Sequence, residues 1–571
     1  MTTTIPLRDQ LSDLLRAGLL AAQRANAVAA FTIPDVLPVE PSRFETHGDY
    51  GSPVCLGLAK TLKRAPVQIA QDIIPHIPAA PFVCKVEAAA PGYINFTLDE
   101  SWLAQQARVI LAAGETWGNL ALGAGKRVQV EFVSANPTGP ITIGSARNAV
   151  IGDALASVLA AAGYTVEREY YVNDAGSKAR KLAVSIFLKY AELLGEPVAM
   201  DEETYPGAYI EAMAQALVAA VGNRYLTQER ESALREIMRW GIERVLIIVE
   251  EDLAALRVRF DSWRHERDFY APGPAGCPSL FDQRLAVLRE AGYVVERDDA
   301  TWFTHADLDK DAVLIRSPKV IPNSEDRPTY LASDIAYVWD KLVLRGFDRA
   351  IYVWGADHHG DVPRVIAATQ AQGLDTDRVV IVLYQLVTLL RSGEEVRMSK
   401  SSGEFITLRE LVDEVGPDPI RFMLLTRTVD VSMDFDLDLA VEQSDRNPVY
   451  YVQYAHTRIA GVLRKAEELG VATDAAGDPA LLTHPSELAL LRKMLALPEL
   501  VALAAVNLTP HLLTTYASEL AALFHAFYRD CRVVDPDALE LTAARLMLAR
   551  AAKTVLARVL GLLGVDAPEK M

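Results

Sequence analysis

Three short runs of this chain combine cations, hydroxyls and glycines in patterns that suit phosphate chemistry. The first is the loop Ala135–Ser145 within SANPTGPITIGS, set between the β-branched run RVQVEFV and the helical pattern ARNAVIGDALASVLAAAG. A loop between a strand and a helix start turns backbone N–H groups outward, and the helix dipole there favours an anion. Gly139 and Gly144 let a phosphate approach the backbone closely, although a glycine at such a turn also serves packing alone. The second run, Val396-Arg397-Met398-Ser399-Lys400-Ser401-Ser402-Gly403, sets two cations among small hydroxyl residues. It reads either as a solvated surface loop or as one that closes over a triphosphate and neutralises the charge on departing pyrophosphate. The third, Gly355-Ala356-Asp357-His358-His359-Gly360, follows the strand-like RAIYVWG. Ligands sit at strand ends in doubly wound sheets, so these side chains suit hydrogen bonds to a ribose or base. Two histidines also raise a metal, but adjacent ones project differently and no third ligand is evident.

Such runs need a sheet and helix ends to hold them. RVQVEFV, the Gly-rich loop, the helix beginning near Ser145 and the strand TVEREYYV form one βαβ unit, the start of a doubly wound sheet. From about Ser177 to Leu256 the pattern is helical and charged, an expected insertion, and strand-like runs resume at AVLIRS, RAIYVWG and VVIVLYQLV. Upstream, an amphipathic stretch over Leu7–Ala29 is broken by Pro34, Pro38 and Pro41, and VCKVEAAAPGYINFTL alternates like strands. Downstream of Val441 apolar residues recur three and four apart almost throughout, as in a helix bundle. The expected fold is α/β multidomain. Residues 1–119 form an N-terminal α/β additional domain, 120–440 a Rossmann-type, doubly wound parallel-sheet catalytic core with the helical insertion at about 177–256, and 441–571 a C-terminal all-α helical bundle.

Bulk composition narrows the class only partly. A chain of 571 residues is too long for one hydrophobic core. Its net charge of −18 argues against a nucleic-acid partner if taken alone, but binding follows local potential and not the sum. The four cysteines are scattered with no metal-type pairing, so a reduced compartment and no protein-bound metal are expected. No apolar run reaches the roughly 20 residues of a membrane helix, and MTTTIPLRDQLSDLLRAGLL lacks the layout of a signal peptide. A cytoplasmic location without membrane contact is the expectation.

Taken together, EFVSANPTGP, NDAGSK, LRVRFDSWRHE, YLASDIAYVWDKL, IYVWGADHHG and VRMSKSSG resemble, in this order, the class I aminoacyl-tRNA synthetases and the arginyl enzymes in particular. FETHGDYGSPVCLGLAK and PGYINFTL resemble that family's additional N-terminal domain. VQYAHTRIAGVL, FHAFYRDCRVV and LLGVDAPEKM resemble its helical anticodon-binding domain, so the likeness spans essentially the whole chain. The resemblance implies an arginine–tRNA ligase. Such an enzyme activates arginine with ATP, carrying Mg²⁺ on its phosphates, to arginyl-adenylate, and transfers it to the 3′-terminal ribose of tRNA(Arg). It also implies a monomer that must bind tRNA before it activates arginine.

Residue by residue, the resemblance implies an arginine pocket of Glu131, Ser134, Asn136, Tyr330, Asp334 and His358. Glu131 and Asp334 would grip the guanidinium, a planar group with five donors that matches forked carboxylates, and Asn136 the amino-acid head group. Glu131 could instead be an edge-strand surface acid and Asp334 a helix cap. ATP would meet Pro137, Gly139, Ile143, Gly144, Asp357, His358, Met398, Ser399, Lys400 and Ser401. Catalysis would fall to Thr142, Gly144, Ser145, Arg397 and Lys400, with Lys400 on the leaving pyrophosphate. The N-terminal module would meet the tRNA elbow and the bundle the anticodon, with Arg545, Arg550, Lys553 and Arg558 as contacts, though spaced cations on a helix are also an ordinary solvated face.

One departure stands out. The family signature is His-x-Gly-His, and here it reads Thr142-Ile143-Gly144-Ser145. Losing one donor to a developing phosphorane typically costs about 10²–10³ in rate. Threonine and serine hydroxyls still donate, but they are shorter and always neutral. Ser145 could also cap the following helix. Arg397 stands where the family usually has lysine. The alternative is an impaired paralogue that binds arginine or tRNA without forming adenylate. The intact loop at Arg397–Ser401, the ADHHG run and the pocket residues favour an active enzyme.

Overall fold

The computed structural model describes residues 4–42, 44–175, 177–196, 204–273, 276–316, 327–396, 406–473 and 477–571. Arg397, Met398, Ser399, Lys400 and Ser401 therefore lie outside the described residues.

The site is carried by five parallel strands: β1 (Arg127–Glu131), β2 (Thr165–Val172), β3 (Ser262–His265), β4 (Arg349–Gly355) and β5 (Val379–Tyr384), ordered β5-β4-β1-β2-β3. β1 is central and buried on both faces after its first residue, so its polar residues Gln129 and Glu131 must find partners inside. The helix α1 (Ile143–Ala161) makes the crossover from β1 to β2. It is buried almost all round because the C-terminal helices pack on the side away from the sheet. Gly152 permits this: a Cβ there would overlap the ring of Phe132.

Helices at Ser177–Leu193, Ala208–Val221, Arg224–Thr227 and Arg230–Ala255 intervene between β2 and β3. The runs that follow divide among three sheets. Ala312–Arg316, within AVLIRS, joins a separate antiparallel sheet with Val294–Arg297, Ala300–Phe303 and Arg327–Pro328. Its hairpin turn, Asp298-Asp299, has φ of 52° and 53°, the positive values that a two-residue turn needs to match strand twist. VVIVLYQLV is also split: β5 ends at Tyr384, and Val387–Arg391 pairs in parallel with Met433–Asp436 in a three-stranded sheet. The α-helix α2 (Tyr330–Trp339) runs on into a wider π-helical turn over Asp340–Leu344 before β4.

Upstream, the first helix covers Leu7–Arg24, shorter than the amphipathic pattern, and packs with a four-stranded antiparallel sheet. Downstream, helices at Pro448–Glu468, Pro485–Leu495, Leu497–Asn507, Leu512–Asp530 and Leu539–Leu563 share one apolar cluster with the parallel sheet and the helices after β2. Among the described residues no helix is long and apolar enough to cross a membrane.

Candidate active site

Strand order reverses at β1, which has β4 on one side and β2 on the other. The crevice outside the C-terminal ends of β1 and β4 is therefore where this topology binds ligands. A cleft of about 910 Å³ lies there. Its floor is the loop after β1, which leaves the strand through two left-handed non-glycine residues, Val133 (φ 65°) and Ser134 (φ 41°). That conformation is costly for a β-branched valine and persists only where neighbours over-determine it. Asn148 of α1 does so, accepting from the Val133 N–H at 2.6 Å and donating to the Val353 carbonyl of β4 at 2.9 Å. The Ser134 hydroxyl accepts from the Tyr171 N–H at 3.1 Å, and Tyr170 Oη donates to the Ala135 carbonyl at 2.9 Å.

Ser134, Asn136, Gly139, Thr142, Ser145, Asp357 and His358 all line this cleft. Asn136 Oδ1 is buried without a hydrogen-bond partner, so an acceptor waits at the loop's start. Thr142, not Ser145, is the N-cap of α1; its carbonyl accepts from the N–H groups of Ser145 and Ala146, and Ser145 sits inside the first turn. The capping role for Ser145 is thus corrected, and its hydroxyl is left to the cleft. Gly139 also has another reason than phosphate approach: a Cβ there would meet the ring of Tyr209 at 3.1 Å. At Gly144 the nearest atom would be Thr142 Oγ1 at 3.9 Å, so that glycine leaves open space. Pro137, Ile143 and Gly144 do not line the cleft, and Ile143 is buried in the core. Thr142 also forms a β-bridge with Thr407, and the Leu408 N–H donates to the Ile141 carbonyl at 2.7 Å. The chain resuming after the Arg397–Ser401 run is thereby anchored on the loop that precedes α1.

Beneath the loop the sheet carries charge. Parallel register places Glu131 beside Glu169 and Tyr352. Two glutamates side by side in a buried sheet need cations, and the turn after α2 supplies them. Lys341 Nζ donates to Glu131 Oε2 at 2.6 Å and lies over the rings of Tyr352 (3.5 Å) and Tyr337 (3.8 Å). Arg345 pairs with Glu169, which also accepts from Gln129 and from Tyr337 Oη. Burial alone would raise the Glu169 pKa; Arg345 and Lys341 outweigh it and leave the carboxyl below its ordinary range. Burial draws Lys341 down against the pull of both glutamates.

Glu131 is therefore neither an edge acid nor an uncompensated one. Its second oxygen accepts from Ser134 Oγ at 3.2 Å, so it offers a ligand at most one oxygen already held by serine. Asp334 lies inside α2, whose N-cap is Thr329, which removes the capping alternative. With Tyr330 it lines a smaller cleft of about 300 Å³ next to Asp361 and Arg364. The residue is part-buried, and loss of water around its carboxyl, with the charges of Glu131 and Glu266, holds its pKa well above the usual carboxylate range. The same electrostatics bring Glu131 and Asp334 into one neighbourhood. His358 faces Asp361 Oδ2 from Nδ1 at 3.3 Å, and that bond raises its pKa.

Sequence reasoning missed Lys341, Glu266 and a pair of lysines. Lys178 and Lys181, on the first turns of the helix Ser177–Leu193, line the same cleft as Ser145 and Asp357. Their spacing in SKARK at a helix start was the available signal.

Comparison with known proteins decides the family. The model described as "tRNA synthetases class I (R), catalytic domain" matches residues 106–424, "Arginyl tRNA synthetase N terminal domain" matches 10–98, and "DALR anticodon binding domain" matches 452–571. The chain belongs to the arginyl-tRNA synthetase family. An arginine–tRNA ligase of Dehalococcoides mccartyi is 42% identical over 575 residues, covering 100% of both chains. One of Bacillus cereus is 42% identical over 568 residues, covering 99% of each. The solved arginyl-tRNA synthetase of Thermus thermophilus has the same fold, with a TM-score of 0.74 at 24% identity over 99% of this chain and 100% of that one.

In this arginyl-tRNA synthetase the four cations expected to meet tRNA have partners within the chain. Arg545 is held by Glu487 and the Arg532 carbonyl, Arg550 by the Thr473 carbonyl, and Lys553 by Glu569. Arg558 donates to Asn119 Oδ1 at 2.6 Å and to the Trp117 carbonyl. These four cations stitch the last helix to its neighbours.

Proposed function

We infer that this chain is an arginine–tRNA ligase: ATP and arginine react to arginyl-adenylate and pyrophosphate, and the terminal ribose of tRNA(Arg) then takes the arginyl group. What carries this reading is the full-length relationship to arginine–tRNA ligases in a chain with a cleft of about 910 Å³ at the switch point of its parallel sheet.

In this reading the arginine head group sits at Asn136, whose free Oδ1 accepts from the amino group, with Ser134 beside it. The guanidinium lies toward Asp334 and Tyr330. ATP enters as its Mg²⁺ complex, with its base and ribose toward Asp357 and His358 and its phosphates at the Thr142 end of α1. There the hydroxyls of Thr142 and Ser145 donate to the α-phosphate in place of two histidines, and Lys178 and Lys181 add charge that the loop alone lacks. Lys400 and Arg397 act on the leaving pyrophosphate. Positioning and charge neutralisation supply the acceleration.

In this reading residues 1–119 meet the tRNA elbow and 441–571 the anticodon; the family matches at 10–98 and 452–571 support such a division. The enzyme acts as a monomer in the cytoplasm. The test is ATP-dependent charging of tRNA(Arg) with labelled arginine by the purified chain. Product at a rate ordinary for synthetases supports the ligase; tight tRNA binding with no product supports the impaired paralogue.

A further inference from the structure

The loop after β1 brings hydroxyls and N–H groups to the main cleft but no cation. Among the described residues that line the cleft, the only lysines or arginines are Lys178 and Lys181, both from the helix Ser177–Leu193. Three positions apart, they share one face of that helix. Arg180, between them, turns elsewhere and makes a two-pronged pair with Glu231 at 2.7 Å. Lys181 is part-buried, and its ammonium lies 5.2 Å from the centre of the Tyr205 ring. An aromatic face holds a cation without neutralising it, so the charge stays available to an anion.

Tyr205 is itself fixed. Its N–H donates to Ser185 Oγ at 2.8 Å, and Ser185, fully buried, donates in turn to the Lys181 carbonyl at 2.8 Å. The chain at Tyr205 is thus pinned to the turn of helix that follows Lys181. The same wall reaches across to the loop after β1. Tyr209 Oη donates to the Thr138 carbonyl at 2.8 Å, the Thr138 hydroxyl faces that of Tyr205, and the Tyr209 ring fills the space where a Cβ on Gly139 would sit. The Thr138 N–H donates to the Asn136 carbonyl at 2.7 Å, so this turn is held from within as well as from the helical insertion.

We propose that Lys181 binds the β- and γ-phosphates of ATP, and that Tyr205 and Tyr209 are positioning residues that couple the helical insertion to the loop at Thr138 and Gly139, so that one wall faces the triphosphate. This rests on the reading of the chain as an arginine–tRNA ligase and assigns, within that site, the element that carries the phosphate charge. A compact ammonium with three donors suits non-bridging phosphate oxygens. With Thr142 and Ser145 neutral, a cation from the insertion supplies charge that the loop lacks.

Steady-state aminoacylation of tRNA(Arg) by the full chain, with ATP and arginine varied in turn, tests this. Lys181→Met keeps the length of the side chain and removes its charge. Its expected effect is a rise of about tenfold in KM for ATP and in the inhibition constant of inorganic pyrophosphate, with KM for arginine within about twofold. Lys181→Arg, which keeps the charge, is expected to recover most of the ATP affinity. Tyr205→Leu should raise KM for ATP about threefold as a single change and less when added to Lys181→Met, because the ring acts through the lysine. An unchanged KM for ATP in Lys181→Met would overturn the proposal, as would equal rises in both KM values, which mark a lysine that only supports the fold. Full additivity of the Tyr205 and Lys181 effects would overturn the positioning role of Tyr205. Should Lys181→Met not fold, Tyr209→Phe is read instead: loss of its bond to Thr138 should raise KM for ATP about threefold, and no change overturns the coupling. Failure of the unaltered enzyme to charge arginine would reject the ligase reading itself, an outcome distinct from a Lys181 variant with ordinary ATP kinetics.

Discussion

At Thr142 and Ser145 the chain answers a demand for hydrogen-bond donors with the smallest side chains that can meet it. Both residues line the cleft at the start of α1, where N–H groups and the helix dipole already favour an anion. Hydroxyls there are shorter than imidazoles and carry no charge, so more of the load falls on backbone donors and on Lys178 and Lys181. Restoring the signature should reveal that deficit. The double substitution Thr142→His, Ser145→His is expected to raise kcat for arginyl-adenylate formation about tenfold, measured by pyrophosphate exchange with tRNA present. A rate that stays level would mean that the hydroxyls already do the histidines' work. The residue types at this loop could be read directly, because a strand–loop–helix run shows its donors in order. Lys341 could not be read this way. Its partner lies 210 positions away, and only the parallel register that sets Glu131 beside Glu169 creates the need for it.

Among elements, α1 matters most, since its first turn faces the cleft and its body is buried between sheet and bundle. Its distance from β1 depends on Gly152, where any side chain runs into Phe132. Gly152→Ala is expected to cost about 1–3 kcal/mol by overpacking, seen in urea unfolding, and to lower kcat as the helix start shifts away from the loop. Stability lost with kcat intact would separate the helix body from the site. The helical pattern of this segment is plain in the sequence, but its all-round burial is not: alanines and small residues on every face report close neighbours without naming them. AVLIRS illustrates the opposite failure. Its apolar run fits a buried parallel strand as well as an antiparallel one, and the short return from Ala300–Phe303 to Ala312–Arg316 makes it antiparallel.

Over the whole molecule, one fully buried arginine ties the catalytic sheet to the C-terminal helices. Arg421 pairs with Asp153 of α1, donates to the Leu563 carbonyl at 2.8 Å and to the Leu256 carbonyl at 3.1 Å, and lies against Gly564. Arg421→Met fills the space but leaves two carbonyls and a carboxylate short of a donor. It is expected to destabilise by about 3 kcal/mol or more and to uncouple the last helix, visible as an earlier, separate step in thermal unfolding. A single unshifted transition would contradict this. The N-terminal part is tied in similarly, with Tyr50 Oη and the Arg8 N–H both donating to Glu499.

Order along the chain sufficed for the Gly-rich loop after β1 and the strand end at Gly355, because each is written in neighbouring residues whose local geometry follows from propensity and turn chemistry. Contacts between distant positions were settled only on folding. Strand register gave Glu131 a lysine, α2 brought Asp334 up to Glu266, and helix packing turned Arg545, Arg550, Lys553 and Arg558 inward to carbonyls and acids. A charge is cheap in water and costly in a dry interior, so its partner depends on which surfaces close over it, and that is a property of three dimensions.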